Sequence, residues 1–339
     1  MLQPSPPRKR RGRLARSGAA SMVLLAVAGY LAVQYVTGGA GAPGCKVASP
    51  AVGDGARTAY EFTPEQAVNA ATITAVGTAR GLPDRAVAIA LATAMQESAL
   101  RNLDHGDKDS LGLFQQRPSW GWGTPEEIMD PAYSAGAFYD HLAKVDGYLD
   151  LPLTVAAQRV QRSGFPDAYA KHEPDAELLA AALTGRSAAT LTCDGRPGAT
   201  REKGPDAVRA ALVRDFGHGV LEPAAAVVGD GGTSPRPAAA TTSASASASA
   251  SASASDERTV TLPVTGGTGP EAERETARRG WQLAHWAVAN ASSLHLQRVS
   301  YAGREWTAGN TDSKWYPTGT RAAADAERAA GSVRITSAW

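Results

Sequence analysis

Cysteine is nearly missing from this chain of 339 residues, which has only Cys45 and Cys193. Two thiols exclude a disulfide-rich scaffold. The six histidines, at 105, 141, 172, 218, 285 and 295, show no His or Cys pair at ligand spacing, so no structural zinc site is expected. A phosphate loop ending in Gly-Lys-Ser or Gly-Lys-Thr is missing too, and no cofactor is expected. Net charge is small: 34 Lys plus Arg against 33 Asp plus Glu give a formal +1, which argues against a nucleic-acid binder. Aromatic residues make up only 6%, and Ala and Gly are abundant, a globular composition with low-complexity parts.

The small net charge hides a segregation. Arg8, Lys9, Arg10, Arg11, Arg13 and Arg16 precede any acid, and residues 17–45 carry no charge at all. Residues 19–36 are almost wholly apolar, long enough for one helical membrane crossing of roughly 20 residues. By the positive-inside rule the basic cluster stays in the cytoplasm and the rest of the chain is exported. A cleaved signal peptide, cut near Ala40-Gly41-Ala42, is the rival reading and leads to the same compartment. With one span and no charge within it, a transporter is excluded. The six basic residues of the tail leave 28 basic against 33 acidic outside, so the exterior is mildly acidic. In an oxidising compartment the cysteine pair predicts a Cys45–Cys193 disulfide; lipidation of Cys45 is the alternative.

Beyond the anchor the chain divides by composition. The expected segments are a cytoplasmic tail 1–16, an anchor 17–37, a connector 38–60, a mainly helical domain 61–221, an Ala/Ser/Pro linker 222–256 and a small α+β domain 257–339. In the helical domain Thr63 with Gln66 forms a capping-box pattern before Pro64, and Gly81-Leu82-Pro83 ends that helix. The next helix is apolar on nearly all sides over residues 86–95, too short to cross a membrane and so a buried core helix. Further helices are expected over 131–144 and 205–216. In the C-terminal domain a helix over 271–291, a hairpin of 296–300 with 304–308, and a last strand at 333–336 are expected. That domain holds five of the seven tryptophans, readable as core or as a glycan-binding face.

The buried helix ends at Gln96, Glu97 and Ser98, and residues 101–116, with Gly106 and Gly112, suggest a small hairpin. Glu97 is readable as a solvated helix-terminal carboxylate. Set between an apolar helix and a hairpin able to bind sugar, it is also a group that can protonate a glycosidic oxygen.

The spacing around it resembles the goose-type lysozymes and soluble lytic transglycosylases, enzymes that cleave peptidoglycan. Glu97-Ser98 is followed by Leu100, and Gly112-Leu113-Phe114-Gln115 begins fifteen places after the Glu, with Phe where the family has Met. The resemblance covers about residues 61–195 and implies a mainly α lysozyme-like fold with a small β-hairpin. It further implies peptidoglycan glycan strands as partner, Glu97 as catalytic acid, and Ser98 and Gln115 in the glycan groove. The family's third motif, Ala-Tyr-Asn-Ala-Gly, is altered: within 155–169 the segment Gln161-Arg162-Ser163-Gly164 stands in its place. The Tyr that would orient the Glu is thus missing, and Tyr169 offers a later aromatic or is a packed edge residue.

Asp104, Asp107 and Asp109 are candidates for a second carboxylate facing Glu97, with Asp109 counted among the substrate-binding residues. Without such a partner the resemblance implies the lytic route, in which the sugar's own primary hydroxyl closes an anhydro ring. Trp120 and Trp122, in a loop with Pro118 and Gly121, either stack on sugar faces or cover the neighbouring helix. Two functions follow from this reading: a membrane-anchored muramidase or lytic transglycosylase, or a catalytically silent wall-binding protein of the same shape.

Overall fold

The computed structural model describes residues 44–50, 58–165, 167–195, 204–222, 257–264, 268–310, 314–320 and 331–338. The expected anchor, 17–37, and nearly all of the Ala/Ser/Pro linker lie outside the described residues. Among the described residues no helix is long and apolar enough to cross a membrane. They comprise eight α-helices and two small sheets, a mainly helical protein.

Helix α1 (Pro64–Ala79) starts as the sequence predicts, with the Thr63 side chain accepting from Gln66 N and the Gln66 amide accepting from Thr63 N. Helix α2 (Asp84–Ser98) has every residue from Ala86 to Met95 buried. It can be apolar all round because α1, α4 (Pro131–Leu142), α5 (Leu153–Gln161) and α6 (Glu173–Leu183) enclose it. A short α3 (Pro125–Ile128) precedes α4, and α7 (Pro205–Phe216) follows on α1.

The described parts of the expected connector, residues 44–50 and 58–60, pack with this domain. Strand β1 (Cys45–Ala48) pairs antiparallel with β2 (Ala59–Phe62) on one side and with β3 (Leu191–Cys193) on the other. Cys45 faces Cys193 directly in the register, and the two are joined by a disulfide. The boundary at residue 61 is therefore corrected to the start of β1. Long-range pairing of four-residue strands leaves no local sequence signal.

The C-terminal segment forms a sheet in the order β4-β8-β5-β6-β7, with neighbouring strands antiparallel throughout: β4 (Thr259–Pro263), β5 (Leu296–Tyr301), β6 (Arg304–Thr307), β7 (Tyr316–Pro317) and β8 (Ser332–Ser337). Helix α8 (Pro270–Ala289) packs between this sheet and the helical part, touching β5 and β8 on one side and α1, α6 and β3 on the other. All ten residues from Gly280 to Ala289 are buried as a result. The expected separate domain is thus corrected: residues 43–339 form one compact unit.

Specific contacts explain the union. Asp215, buried at the end of α7, accepts from Trp286 Nε1 (2.8 Å) on α8, from Thr72 Oγ1 (3.2 Å) on α1 and from Arg214 Nε (2.7 Å). Trp306 Nε1 donates to Cys193 O and Trp315 Nε1 to Leu191 O, both on β3. Gly185, at φ +78°, lets the α8 backbone approach, since a Cβ there would overlap the Arg278 carbonyl. Trp281, Trp286, Trp306 and Trp315 are all buried, so of the two readings they take the core one.

His285 is fully enclosed between Trp281 and Trp315, with Nδ1 on Ala182 O (2.7 Å). Burial lowers its pKa from 6.5 to about 4, against a smaller opposing effect of that backbone hydrogen bond. Because the folded value is depressed, the unfolded chain binds the proton more readily, and stability present above about pH 6.5 is lost as pH falls toward 4. Between pH 7 and pH 4.5 this one group is expected to cost about 2 to 3 kcal/mol. Urea unfolding of wild type and His285→Leu at both pH values checks it; equal pH dependence in the two proteins would refute the role of His285.

Candidate active site

The chain turns sharply after Glu97-Ser98 because Ala99 and Leu100 both take the left-handed conformation, at φ 52° and 59°. Two successive non-glycine residues there are costly, on the order of 1 kcal/mol each. The turn is held by Gln66 Nε2 donating to Ala99 O (2.7 Å) and Asn69 Nδ2 to Leu100 O (2.8 Å). Leu100 itself is buried, so the apolar residue two places after the Ser anchors the turn. Glu97 is left half-buried at the end of α2.

Ser98, expected in the groove, is buried, and its hydroxyl lies 2.8 Å from Leu113 O and 3.0 Å from Ala94 O. Its role is to tie the helix end to the 112–115 turn. The expected hairpin is reduced to two isolated bridges, Leu103 with Gly112 and Leu111 with Gln116. Positive φ at Lys108, Gly112 and Gln115 breaks the extended backbone that longer strands would need. Gly112 is required: its φ is +75°, and a Cβ would stand 2.7 Å from Ile128 O. Gln115 is half-buried, with Nε2 within 3.4 Å of His105 O and 3.3 Å of Gly112 O.

Tyr169 answers the question left by the altered motif. It is fully buried, and its hydroxyl donates to Glu97 Oε1 at 2.7 Å. Burial raises the phenol pKa, the Glu97 charge and hydrogen bond add to the rise, and a bond with Ser163 works against it. The phenol therefore keeps its proton and orients the carboxylate from a place 72 residues along the chain. Gln161 Nε2, from the substituted segment, donates to Phe114 O (2.8 Å) and so braces the same turn that Ser98 holds. Beside Glu97, Gln96 Oε1 lies 3.2 Å from His172 Nε2, a contact that no sequence signal marked.

The carboxylate candidates in the loop are engaged elsewhere or exposed. Asp104 meets His105 Nδ1 (2.7 Å), and Asp109 accepts from Arg117 Nε (2.6 Å) and Ser119 N (2.9 Å). The bonds from Ser119, then that from Arg117, hold the Asp109 carboxyl well below the usual carboxylate range. Arg117 in turn covers one face of Trp120, 4.6 Å from the ring centre. Asp107 is exposed.

Trp120 and Trp122 line one cavity of about 560 Å³ with His141, Lys144, Arg159, Gln161 and Arg162. Trp120 is 58% exposed, whereas Trp122 stacks on His141 with centroids 4.1 Å apart. Glu97 is not among the lining residues; Gln161 connects the cavity to the turn beside it. Among the described residues, no group of three or more His, Cys, Asp or Glu is placed to hold a metal ion. The chain matches no protein-family model and no curated protein sequence.

Proposed function

We propose that this protein cleaves the glycan strands of peptidoglycan, as a membrane-anchored muramidase or lytic transglycosylase with a lysozyme-like helical domain outside the cell. Glu97 is its general acid and base. The observation that carries this reading is the Tyr169 hydroxyl 2.7 Å from Glu97 Oε1, which supplies the orienting donor that the altered third motif lacks. A half-buried carboxyl group with one oxygen fixed leaves the other to exchange a proton with a bound sugar. The disulfide supports an oxidising compartment.

With Asp104 paired to His105, Asp109 held by Arg117 and Ser119, and Asp107 exposed to solvent, the loop carboxylates favour the lytic route over a two-carboxylate hydrolysis. Glu97 gives its proton to the glycosidic oxygen as the C–O bond breaks. Its carboxylate then takes the proton of the sugar's primary hydroxyl as that oxygen closes on the anomeric carbon, and no water is consumed. The substituted segment Gln161-Arg162-Ser163-Gly164 keeps a second reading open, a silent wall-binding protein. Mass spectrometry of the soluble products from purified wall separates the outcomes. Anhydro ends mark the lytic enzyme, reducing ends a hydrolase, and no release selects the silent binder.

Tyr169→Phe keeps the ring and removes the donor. A hydrogen bond to a charged group contributes about 1.5–3 kcal/mol, so kcat is expected to fall about ten- to hundred-fold with KM little changed. Steady-state rates on soluble glycan strands check this; an unchanged kcat would remove Tyr169 from any orienting role.

A further inference from the structure

The cavity beside the candidate site is cationic. Lys144, Arg159 and Arg162 all line it, and among the described residues none of the three forms an ion pair. Arg159 reaches only a backbone carbonyl, that of Asp146, at 3.5 Å. The acid whose charge acts on His141 is Asp140, and it is already paired with Arg80. No acidic side chain is among the lining residues. Burial, then the charges of Lys144 and Arg162, lower the pKa of His141 against the pull of Asp140. Three positive side chains lining one cavity without acidic partners repel one another, an arrangement that an anion relieves.

The same cavity is also lined by aromatic residues. Trp120 is exposed on the cavity, braced by Arg117, which Asp109 holds; Trp122 is fixed by its stack on His141. An aromatic face beside forked guanidinium groups suits a ligand that joins an apolar or sugar surface to carboxylates. Gln161 gives the cavity its direction, since it lines the cavity and also donates to Phe114 O, one residue from the carbonyl that Ser98 bonds beside Glu97.

We propose that this cavity binds the carboxylate-bearing peptide branch of a peptidoglycan strand whose sugar backbone lies at Glu97, an assignment that rests on the glycan-cleaving reading above. The branch leaves the glycan next to the scissile bond, and its acidic groups meet Arg159, Arg162 and Lys144 while Trp120 covers its stem. The site thereby selects strands that still carry peptides over bare glycan.

The test is a titration of the full-length protein in detergent, in the Glu97→Gln background so that no ligand is consumed. Calorimetry would compare a disaccharide–peptide, the same molecule with its carboxylates amidated, the peptide-free disaccharide, and a wall polymer of sugar phosphodiesters. The disaccharide–peptide is expected to bind at least tenfold more tightly than the amidated and peptide-free forms. Arg159→Gln/Arg162→Gln is expected to erase that preference while its thermal unfolding stays that of the parent; Lys144→Gln provides a milder second case should the double variant misfold. Equal binding of the three disaccharides, a preference that survives in both variants, or tighter binding of the phosphodiester polymer than of the peptide would overturn the assignment. The wall-digestion products stand apart from this result. Cleavage without a carboxylate preference overturns the cavity assignment alone. A preference without cleavage leaves the cavity assigned and removes the enzymatic reading.

Discussion

Glu97→Gln is expected to lower release of soluble fragments from purified peptidoglycan by about 10²–10⁴-fold, the usual contribution of a positioned acid–base group. The amide keeps the shape of the carboxyl group, and its carbonyl oxygen can still accept from Tyr169. It has no proton to give to a leaving oxygen and no charge with which to take one back. Because residue 97 is only half-buried and its backbone turn is held by Gln66 and Asn69, folding should change little, by less than about 1 kcal/mol. Zymography with both proteins, alongside thermal unfolding, tests the two halves of this expectation. Equal clearing by the variant would end the enzymatic reading.

Reduction of the Cys45–Cys193 disulfide should have the largest effect on stability. The bond closes a sequence separation of 148 residues, and in the chain-entropy model such a loop is worth about 5 kcal/mol, with measured losses usually about 2–5 kcal/mol. A typical domain has only about 5–15 kcal/mol in all. The loss should spread, since β3 carries Cys193 and also accepts the Trp306 and Trp315 indole donors. Urea unfolding with and without reductant, followed by tryptophan fluorescence, should show one transition shifted to lower urea. A shift equivalent to less than about 1 kcal/mol would mean that strand pairing alone fixes β1.

Local signals survived folding almost unchanged. The capping box at Thr63, the enclosed helix ending at Glu97, the helix 205–216 and the hairpin around Ala302-Gly303 all stand near their expected places, because each rests on neighbours within a few residues. The pairing of β1 with β3 and the packing of α8 on α1 are not legible in the sequence, since both join partners more than a hundred residues apart; β1 and β2 lie closer together but are only four residues each, too short to show an alternating pattern. The apolar stripe of α8, with Trp281, Leu283 and Trp286, reads equally well as the core of a small separate domain. At the site, spacing marked Glu97 and the 112–115 turn, but not the inward turn of Ser98 or the engagement of Asp109 by Arg117. Hydroxyl and carboxylate roles are set by which donor or acceptor the tertiary fold brings near, and sequence spacing does not encode it. The Tyr169 bond to Glu97 lay between these cases: the residue was in view, and its partner was decided by the fold.

Strand β4 re-enters the fold against α7 and the short 3₁₀ turn His218–Leu221, close to where the chain departs after Glu222. The two points, Glu222 and residue 257, are therefore both held on the same part of the molecule, whatever the length of chain between them. Doubling the number of residues between those two points should cost only about 0.6 kcal/mol of closure entropy and leave every contact of Trp286 and Trp306 in place. Length variation between residues 222 and 257 is thus expected to be neutral for the packing of the described residues, and selection on it would have to act through something other than distance.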